Sequence, residues 1–245
     1  IPRMTMEDGF MKDQMALTKE ILARCDKDVF TMGTLHGICA SGIHPIEQSG
    51  VNYFAARQMQ VDFLRWDEEK MLSAMQRITD VLCDLARSYI EAGLDSVYYA
   101  SLGGEECFFT DDEFARWIKP FEIQVMKAIK DAGGYCFLHI CKDGLNMERY
   151  RDYAPYADVV NWGVFEVPYD LEKGRELVGG KTLMGVLPNR HGVLVEGSDA
   201  QVEAEVKKVI SDFGRKGLIL GADCTLATEQ DLDKVRLAAR TARGC

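Results

Sequence analysis

Short apolar runs, rich in β-branched and aromatic residues, alternate along the chain with longer amphipathic segments. Six runs have the length and composition of buried strands, and they occupy residues 28–36, 96–101, 135–140, 158–163, 182–187 and 217–222. The segments between them place apolar side chains at helical spacing. This alternation predicts an α/β protein whose parallel strands are joined by crossover helices.

Several helix boundaries are marked by capping residues. Thr110 and Glu113 have the spacing of a capping box, as do Ser198 and Gln201, and an apolar helical stripe follows each pair. Pro120 falls inside the first of these stripes, so we expect it to kink or divide that helix.

Other boundaries follow from the pattern alone. The stretch 59–91 is predicted to be one long helix or a broken pair, Gly214 is a plausible helix end, and Thr228 is expected to begin the last helix.

A (β/α)8 TIM barrel, the favoured fold, needs eight strands, and the pattern supplies six. The chain begins IPRMTMED without an initiator methionine, so we expect an N-terminal segment to be missing from this chain and to supply the rest. The alternative is an open doubly wound sheet, but its GxGxxG phosphate loop is not matched by GTLHGI after the first strand. With no repeat or linker visible, residues 1–245 are predicted to form a single domain.

Composition excludes several classes of function. A net charge of −10 without any Lys/Arg block argues against a nucleic-acid surface, and the apolar runs are too short to cross a membrane. There is no secretory signal pattern, and the eight cysteines are scattered without a CxxC motif. We therefore expect reduced thiols in a cytoplasmic protein.

The segment FLHICKDG contains a His-x-Cys pair at the end of a predicted strand. In that strand Cys136, Leu138 and Ile140 form an apolar face, as suits a face covered by helices. His139 and Cys141 lie on the opposite face. In a barrel the second face is the interior, and its C-terminal mouth is where active sites form.

A catalytic zinc site needs three protein ligands and an open position. The segment LILGADCTL, another apolar run that ends in polar residues, offers Cys224 as the best third ligand after His139 and Cys141. The alternative is that the histidine is a hydrogen-bonded core residue and that both cysteines only pack.

Further polar residues follow the predicted strands. Glu105 and Glu106 are candidate acids at the mouth, although a solvated loop is equally compatible with them. Asp223 is expected either to hydrogen-bond His139 as a catalytic-site residue or to cap the last turn.

Four residues are candidates for contact with a substrate because they follow strands or lie in polar loops: His36, Asn161, Arg190 and His191. A solvated surface position is the alternative for the histidines.

The sequence resembles the uroporphyrinogen decarboxylase superfamily. FLHIC, followed far downstream by LGADCTLATEQDLDKV, is similar to the branch that contains the methylcobamide:thiol methyltransferases. Residues 29–37, 108–134 and 185–210 resemble further segments of that family, so the resemblance covers most of the chain.

The resemblance implies a TIM barrel in which His139, Cys141 and Cys224 bind Zn²⁺. It further implies an enzyme that moves a methyl group between a methylcobamide and a thiol or similar acceptor. The corrinoid is expected on a partner protein that docks at the barrel mouth, and neither nucleic acid nor a membrane is expected as a partner.

Two departures from related branches matter. The decarboxylases carry a histidine in an L-G-H-G context where this chain has Cys224, which counts against porphyrinogen decarboxylation. The cobalamin-independent methionine synthases carry a glutamate ligand where this chain has Gly163. The alternatives that stay open are a decarboxylase acting on a tetrapyrrole and a non-catalytic barrel that binds a tetrapyrrole or corrinoid.

Overall fold

All six predicted strands are present in the computed structural model, which describes residues 4–245. They form one parallel sheet in which every strand lies beside its neighbours in sequence. The strands are β1 Met32–His36, β2 Ser96–Ser101, β3 Tyr135–Ile140, β4 Val159–Trp162, β5 Thr182–Leu187 and β6 Leu218–Ala222.

The strand order identifies the fold class. A doubly wound sheet reverses its order at a switch point, whereas a TIM barrel keeps its strands in sequence order around the barrel. The observed order runs from β1 to β6 without reversal, so the sheet is an arc of a TIM barrel. Within residues 4–245, β1 and β6 are the two edges of this arc.

Helices connect the strands and cover the outer face of the sheet. They are α1 Gly9–Arg24, α2 Ile38–Gln48, α3 Tyr53–Trp66, α4 Glu68–Glu91, α5 Asp111–Trp117, α6 Lys119–Asp131, α7 Leu171–Leu177, α8 Asp199–Phe213 and α9 Leu232–Gly244, with a 3₁₀ helix at Met147–Tyr153. Among the described residues, no helix is both long and apolar enough to cross a membrane.

Most of the predicted helix boundaries are confirmed. The Thr110 hydroxyl accepts from the Glu113 N–H at 3.2 Å, and the Glu113 carboxylate accepts from the Thr110 N–H at 2.9 Å. Pro120 divides α5 from α6, as proline at the start of a helix can. The stretch 59–91 is a broken pair, because Asp67 ends α3 and caps α4.

Two predicted boundaries, the start of the last helix and the start of the first strand, were wrong by more than one residue. The last helix begins at Leu232 rather than at Thr228, because the Asp231 side chain accepts from the Asp233 N–H at 2.8 Å and so caps the helix there. The first strand begins at Met32 rather than at residue 28, since pairing with β2 starts only at Met32.

The hydrophobic core lies between the sheet and its helices. In β3 the outward-facing residues Cys136, Leu138 and Ile140 are all fully buried in it, as the alternation predicts. The opposite face of β3 therefore looks toward the barrel interior. One sheet contains all six strands, while the expectation of a single domain stays a prediction.

Candidate metal centre

One row of side chains crosses the sheet near the C-terminal ends of the strands. His36 in β1 is in register with Ala100 in β2, Ala100 with His139 in β3, and His139 with Asn161 in β4. Residues in register on parallel strands point to the same face of the sheet. These four side chains therefore all face the barrel interior, and His139 lies between the methyl group of Ala100 and the amide of Asn161.

His139, Cys141 and Cys224, hereafter the His–Cys–Cys cluster, converge at the end of this row. Their ligand atoms all lie within 4.8 Å of one another. Cys224 Sγ is 3.3 Å from His139 Nε2 and 3.9 Å from Cys141 Sγ. The fold thus joins two segments that are 83 residues apart in sequence.

The spacing fits a tetrahedral zinc ion. Zinc bonds of about 2.3 Å to sulfur and about 2.0 Å to nitrogen give tetrahedral edges of about 3.8 Å between two sulfurs and about 3.6 Å between sulfur and nitrogen. The two separations that involve Cys224, 3.9 Å and 3.3 Å, lie close to these edges, and the separation between His139 and Cys141 is at most 4.8 Å. One imidazole and two thiols are also ligand types that zinc prefers.

The cluster is electrostatically prepared for a cation. The hydrogen bond from the Cys141 thiol, supported by the His139 ring, lowers the pKa of Cys224 to about 3. The same hydrogen bond, together with burial, raises the pKa of Cys141. These contacts therefore favour the thiolate form of Cys224, which is the form of cysteine that binds metals.

Tyr98 and Asn161 form the base of the site. The Tyr98 ring stacks on the His139 ring with centroids 5.4 Å apart, and its hydroxyl donates to Asn161 Oδ1 at 3.0 Å. The Asn161 amide donates to the Met184 carbonyl at 2.8 Å. Asn161, predicted to contact substrate, is buried and tied into the wall. His139 Nδ1 is buried without a hydrogen-bond partner among the described residues.

One of the two roles predicted for Asp223 was a hydrogen bond to His139, and this prediction was wrong. Its buried carboxylate accepts from the Val186 N–H at 2.8 Å and from the Phe165 N–H at 3.3 Å. Val186 has a φ of 75°, which is uncommon for a β-branched residue. Asp223 therefore fixes the ends of β4 and β5 beside Cys224, and burial raises its pKa to about 6.

Glu105 is not the free acid that the sequence suggested. Glu105 is buried rather than solvated, and its carboxylate accepts from the Tyr53 hydroxyl at 2.6 Å and from Arg57 at 3.2 Å. Because all its close partners are donors within the protein, it holds α3 against the loop after β2. Glu106 is exposed.

A cavity of about 260 Å³ opens beside the cluster, and we name it the His36 cavity. Its lining includes His139, Cys141, Ala100, His36 and Tyr53. The sequence prediction that His36 faces a substrate position agrees with this placement, although the contact itself stays a prediction.

A second cavity, of about 400 Å³, borders the two cysteines from another direction and is named the Arg190 cavity. It is lined by Cys141, Lys142, Asp143, Glu166, Asn189, Arg190 and Cys224. Arg190 thus lies near the cluster as expected. His191, by contrast, is exposed and is absent from the lining of either cavity.

The Glu166 carboxylate lies 2.9 Å from the place that a Cβ on Gly163 would occupy. Glu166, three residues after Gly163, therefore places its carboxylate at the Arg190 cavity.

Sequence reasoning missed two residues that shape the site. Tyr98 was not singled out, although it lies two residues before Ala100 in β2 and strand alternation places both on the interior face. Lys142 borders both cavities, has a φ of 87°, and places its ammonium 4.1 Å from the centroid of the Tyr53 ring. No local sequence signal indicates that cation–π contact.

Comparison with known protein families gives a match over most of the chain. A protein-family model described as uroporphyrinogen decarboxylase (URO-D) matches residues 58–244, which is more than half of the chain. The comparison with curated protein sequences returned no match.

Solved structures show the same fold. A methyltransferase from Methanosarcina mazei gives a TM-score of 0.74 at 18% sequence identity, over 98% of this chain and 66% of that chain. A B12-independent methionine synthase from Shewanella sp. W3-18-1, in complex with selenomethionine, gives 0.56 at 13% identity, over 94% and 65%. The chain thus spans just under two thirds of the length of each, and the predicted TIM-barrel fold is confirmed.

Proposed function

The chain belongs to the uroporphyrinogen decarboxylase family, and from this we propose that it is a zinc-dependent methyltransferase that moves a methyl group from a methylated corrinoid to a thiol. The observation that carries the proposal is the His–Cys–Cys cluster, whose ligand atoms lie within 4.8 Å of one another at the C-terminal ends of the strands. TIM-barrel enzymes place their active sites at that end of the barrel.

The donor set favours this chemistry. His139, Cys141 and Cys224 would hold a zinc ion, which, when bound, supplies a position at which a thiol becomes a thiolate nucleophile at neutral pH. Two thiolate ligands leave the ion little net positive charge, which favours an electron-rich sulfur over Lewis-acid hydrolysis. Both cavities border Cys141 and Lys142 but otherwise have different linings, so they offer separate places for the donor and the acceptor.

The methyl donor is proposed to be a corrinoid carried by a partner protein that docks at the barrel mouth. The similarity of fold to a methyltransferase from Methanosarcina mazei is compatible with this proposal. A reducing compartment, predicted to be the cytoplasm, suits the site because all eight cysteines are free thiols.

Loss of either cysteine ligand tests the proposal. In Cys141→Ser and in Cys224→Ser we expect the zinc content of the purified protein and the methylation of 2-mercaptoethanol by methylcobalamin to be lost together. Cys107→Ser is the matched control, because Cys107 is exposed and lies outside the cluster. Full methyl transfer by a variant without zinc would refute the proposal.

Decarboxylation of a porphyrinogen is the second candidate, and the family match favours it. A polyacidic substrate needs several cations to pair its carboxylates. Arg190 and Lys142 border the Arg190 cavity together with the acids Asp143 and Glu166, so the charges are mixed. Conversion of uroporphyrinogen by the purified protein would revive this candidate.

A non-catalytic barrel is the third candidate, and a structural zinc would be closed by four protein ligands. Among residues 4–245 the cluster offers three. In the cobalt-substituted protein, an open site changes its visible spectrum when a thiol is added, whereas a closed site does not.

A further inference from the structure

The His36 cavity has a specific geometric origin. His36, Ala100 and His139 are consecutive members of the interior row, and the middle member carries only a methyl group. Neighbouring strands are about 4.8 Å apart, so the two imidazoles stand about 10 Å apart with the small Ala100 side chain between them. A molecule bound over Ala100 therefore has the metal cluster on one side and His36 on the other.

Several titratable groups face this space from the surrounding elements. From α2, the His44 ring packs edge-on against the His36 ring with centroids 4.7 Å apart, and Glu47 Oε2 is 4.0 Å from His44 Nε2. Tyr53 lines the cavity from α3. From β2 and from β3 with its following loop, the lining includes Tyr98, His139, Cys141 and Lys142.

We propose that the His36 cavity holds the acceptor thiol and that His36 accepts the proton of that thiol when it binds. The inference rests on the proposed function, and it names a role that the metal cluster does not fill. His139 is stacked on Tyr98 with its Nε2 toward Cys224, and Cys141 and Cys224 are the metal donors, so none of the three is available as the base.

The proton balance of the step is simple. The S–H bond of the acceptor breaks and the sulfur keeps the electron pair, while a new N–H bond forms on the His36 imidazole, which becomes an imidazolium. Partial desolvation, together with the neighbouring His44, lowers the pKa of His36, so the free imidazole is neutral near pH 7 and is able to accept the proton. The Glu47 carboxylate, 4.0 Å from His44 Nε2, favours the positive charge that the proton adds to the His36–His44 pair.

The fate of the thiol proton determines how Kd for the thiol depends on pH, and this dependence is measurable. If the thiol proton leaves to solvent on binding, Kd for the thiol falls about tenfold per pH unit below the pKa of the thiol. If His36 keeps the proton, Kd is nearly independent of pH between about pH 7 and about pH 8. We therefore expect a flat pH dependence in the wild-type protein and a tenfold-per-unit dependence in His36→Gln.

The experiment uses the cobalt-substituted chain, with 2-mercaptoethanol as the probe and the visible spectrum as the readout. His36→Phe is a second variant with the same expectation, and metal content verifies that each variant retains the cluster. Met32→Gln is the control with the wild-type profile expected, because Met32 lies on the same strand but does not line the cavity.

The outcomes separate the two proposals. A wild-type protein that binds cobalt but shows no spectral response to the thiol refutes the proposed function. A thiol response whose pH dependence is the same in wild type and in both His36 variants overturns the assignment of His36 and leaves the metal-dependent function standing.

The location of the thiol is tested separately by filling the space over Ala100, between His36 and His139. In Ala100→Leu, the added side chain occupies the space between His36 and His139, and we expect Kd for 2-mercaptoethanol to rise at least about tenfold with unchanged metal content. Unchanged thiol affinity in a metal-loaded Ala100→Leu protein would place the thiol elsewhere.

Discussion

Asp223 shows how a single side chain determines the position of a neighbouring residue of the His–Cys–Cys cluster, Cys224. It precedes Cys224 directly, and its carboxylate accepts hydrogen bonds from the backbone N–H groups of Val186, near the end of β5, and of Phe165, in the loop after β4. The carboxylate is buried, so these hydrogen bonds have no competing water. The residue therefore fixes the loop that carries Cys224 relative to β4 and β5.

Replacing this carboxylate leaves two backbone donors without an acceptor. Each unsatisfied buried donor costs about 1–3 kcal/mol, so we expect Asp223→Ala to lower the free energy of unfolding by about 2–6 kcal/mol, as measured by urea denaturation of the metal-free protein. Asp223→Asn retains one acceptor and should lose less. Asp28→Ala, at an exposed position, serves as the control, and an equal loss in both alanine variants would contradict the clamping role.

Sequence reasoning correctly brought His139, Cys141 and Cys224 together but failed with their neighbours, for a physical reason. His139 and Cys141 share a face because strand alternation is local, and the resemblance supplied Cys224. The burial of Glu105 depends on Arg57, 48 residues earlier, and no local pattern encodes that pairing. Asp223 could be placed near the site but not assigned its partners, because these are backbone groups of other strands.

At the scale of elements, the packing of α6 on β2 contains a buried acid. The Glu122 carboxylate is fully buried and accepts from the Ser101 hydroxyl at 2.8 Å and from the Tyr153 hydroxyl at 2.7 Å. Burial raises its pKa to about 8, because desolvation outweighs these hydrogen bonds. The contact between helix and strand therefore favours a protonated carboxyl group.

This contact gives the fold a defined pH dependence. Because the folded-state pKa lies above the unfolded value of about 4.3, the folded state binds the extra proton between about pH 5 and pH 8, and stability falls as pH rises through that window. Glu122→Gln removes this dependence. We expect its free energy of unfolding to increase relative to wild type by up to about 1.4 kcal/mol per pH unit across the window, measured by urea denaturation.

The matched control for this prediction is Glu91→Gln, the same substitution on the exposed end of α4. Its pH profile should follow that of the wild-type protein. A Glu122→Gln profile parallel to wild type from pH 5 to pH 8 would show that Glu122 titrates normally in the folded protein.

Across the whole molecule, the strand pattern predicted the fold well and the helix ends less well. Each of the six strands lies where the apolar runs predicted, because buried parallel strands must be continuously apolar. The start of α9 was missed by four residues, since several polar residues in that segment are able to cap a helix. Sheet order did not follow from the strand–helix alternation, because a doubly wound sheet shows the same alternation and differs only in how its strands are ordered.

Metal binding is expected to stabilise the whole arc, because the cluster links β3 with the segment after β6 across two intervening strands. At a free zinc concentration of about 1,000 times Kd, mass action adds about 4 kcal/mol to the free energy of unfolding. Thermal unfolding of the zinc-loaded protein should therefore shift downward when a chelator removes the metal. The Cys141→Ser/Cys224→Ser double variant should show no such shift, and an unchanged Tm in wild type after verified metal loss would contradict the expectation.

The separation of the donors along the chain also governs when the site is able to form during biosynthesis. His139 and Cys141 leave the ribosome 85 and 83 residues before Cys224, so a nascent or truncated polypeptide that ends ahead of β6 offers the site one imidazole and one thiol. Two donors hold zinc far more weakly than three in a fixed geometry. If the cluster binds zinc as proposed, we expect metal acquisition to be a late event in maturation, because firm binding requires that translation has passed the sixth strand.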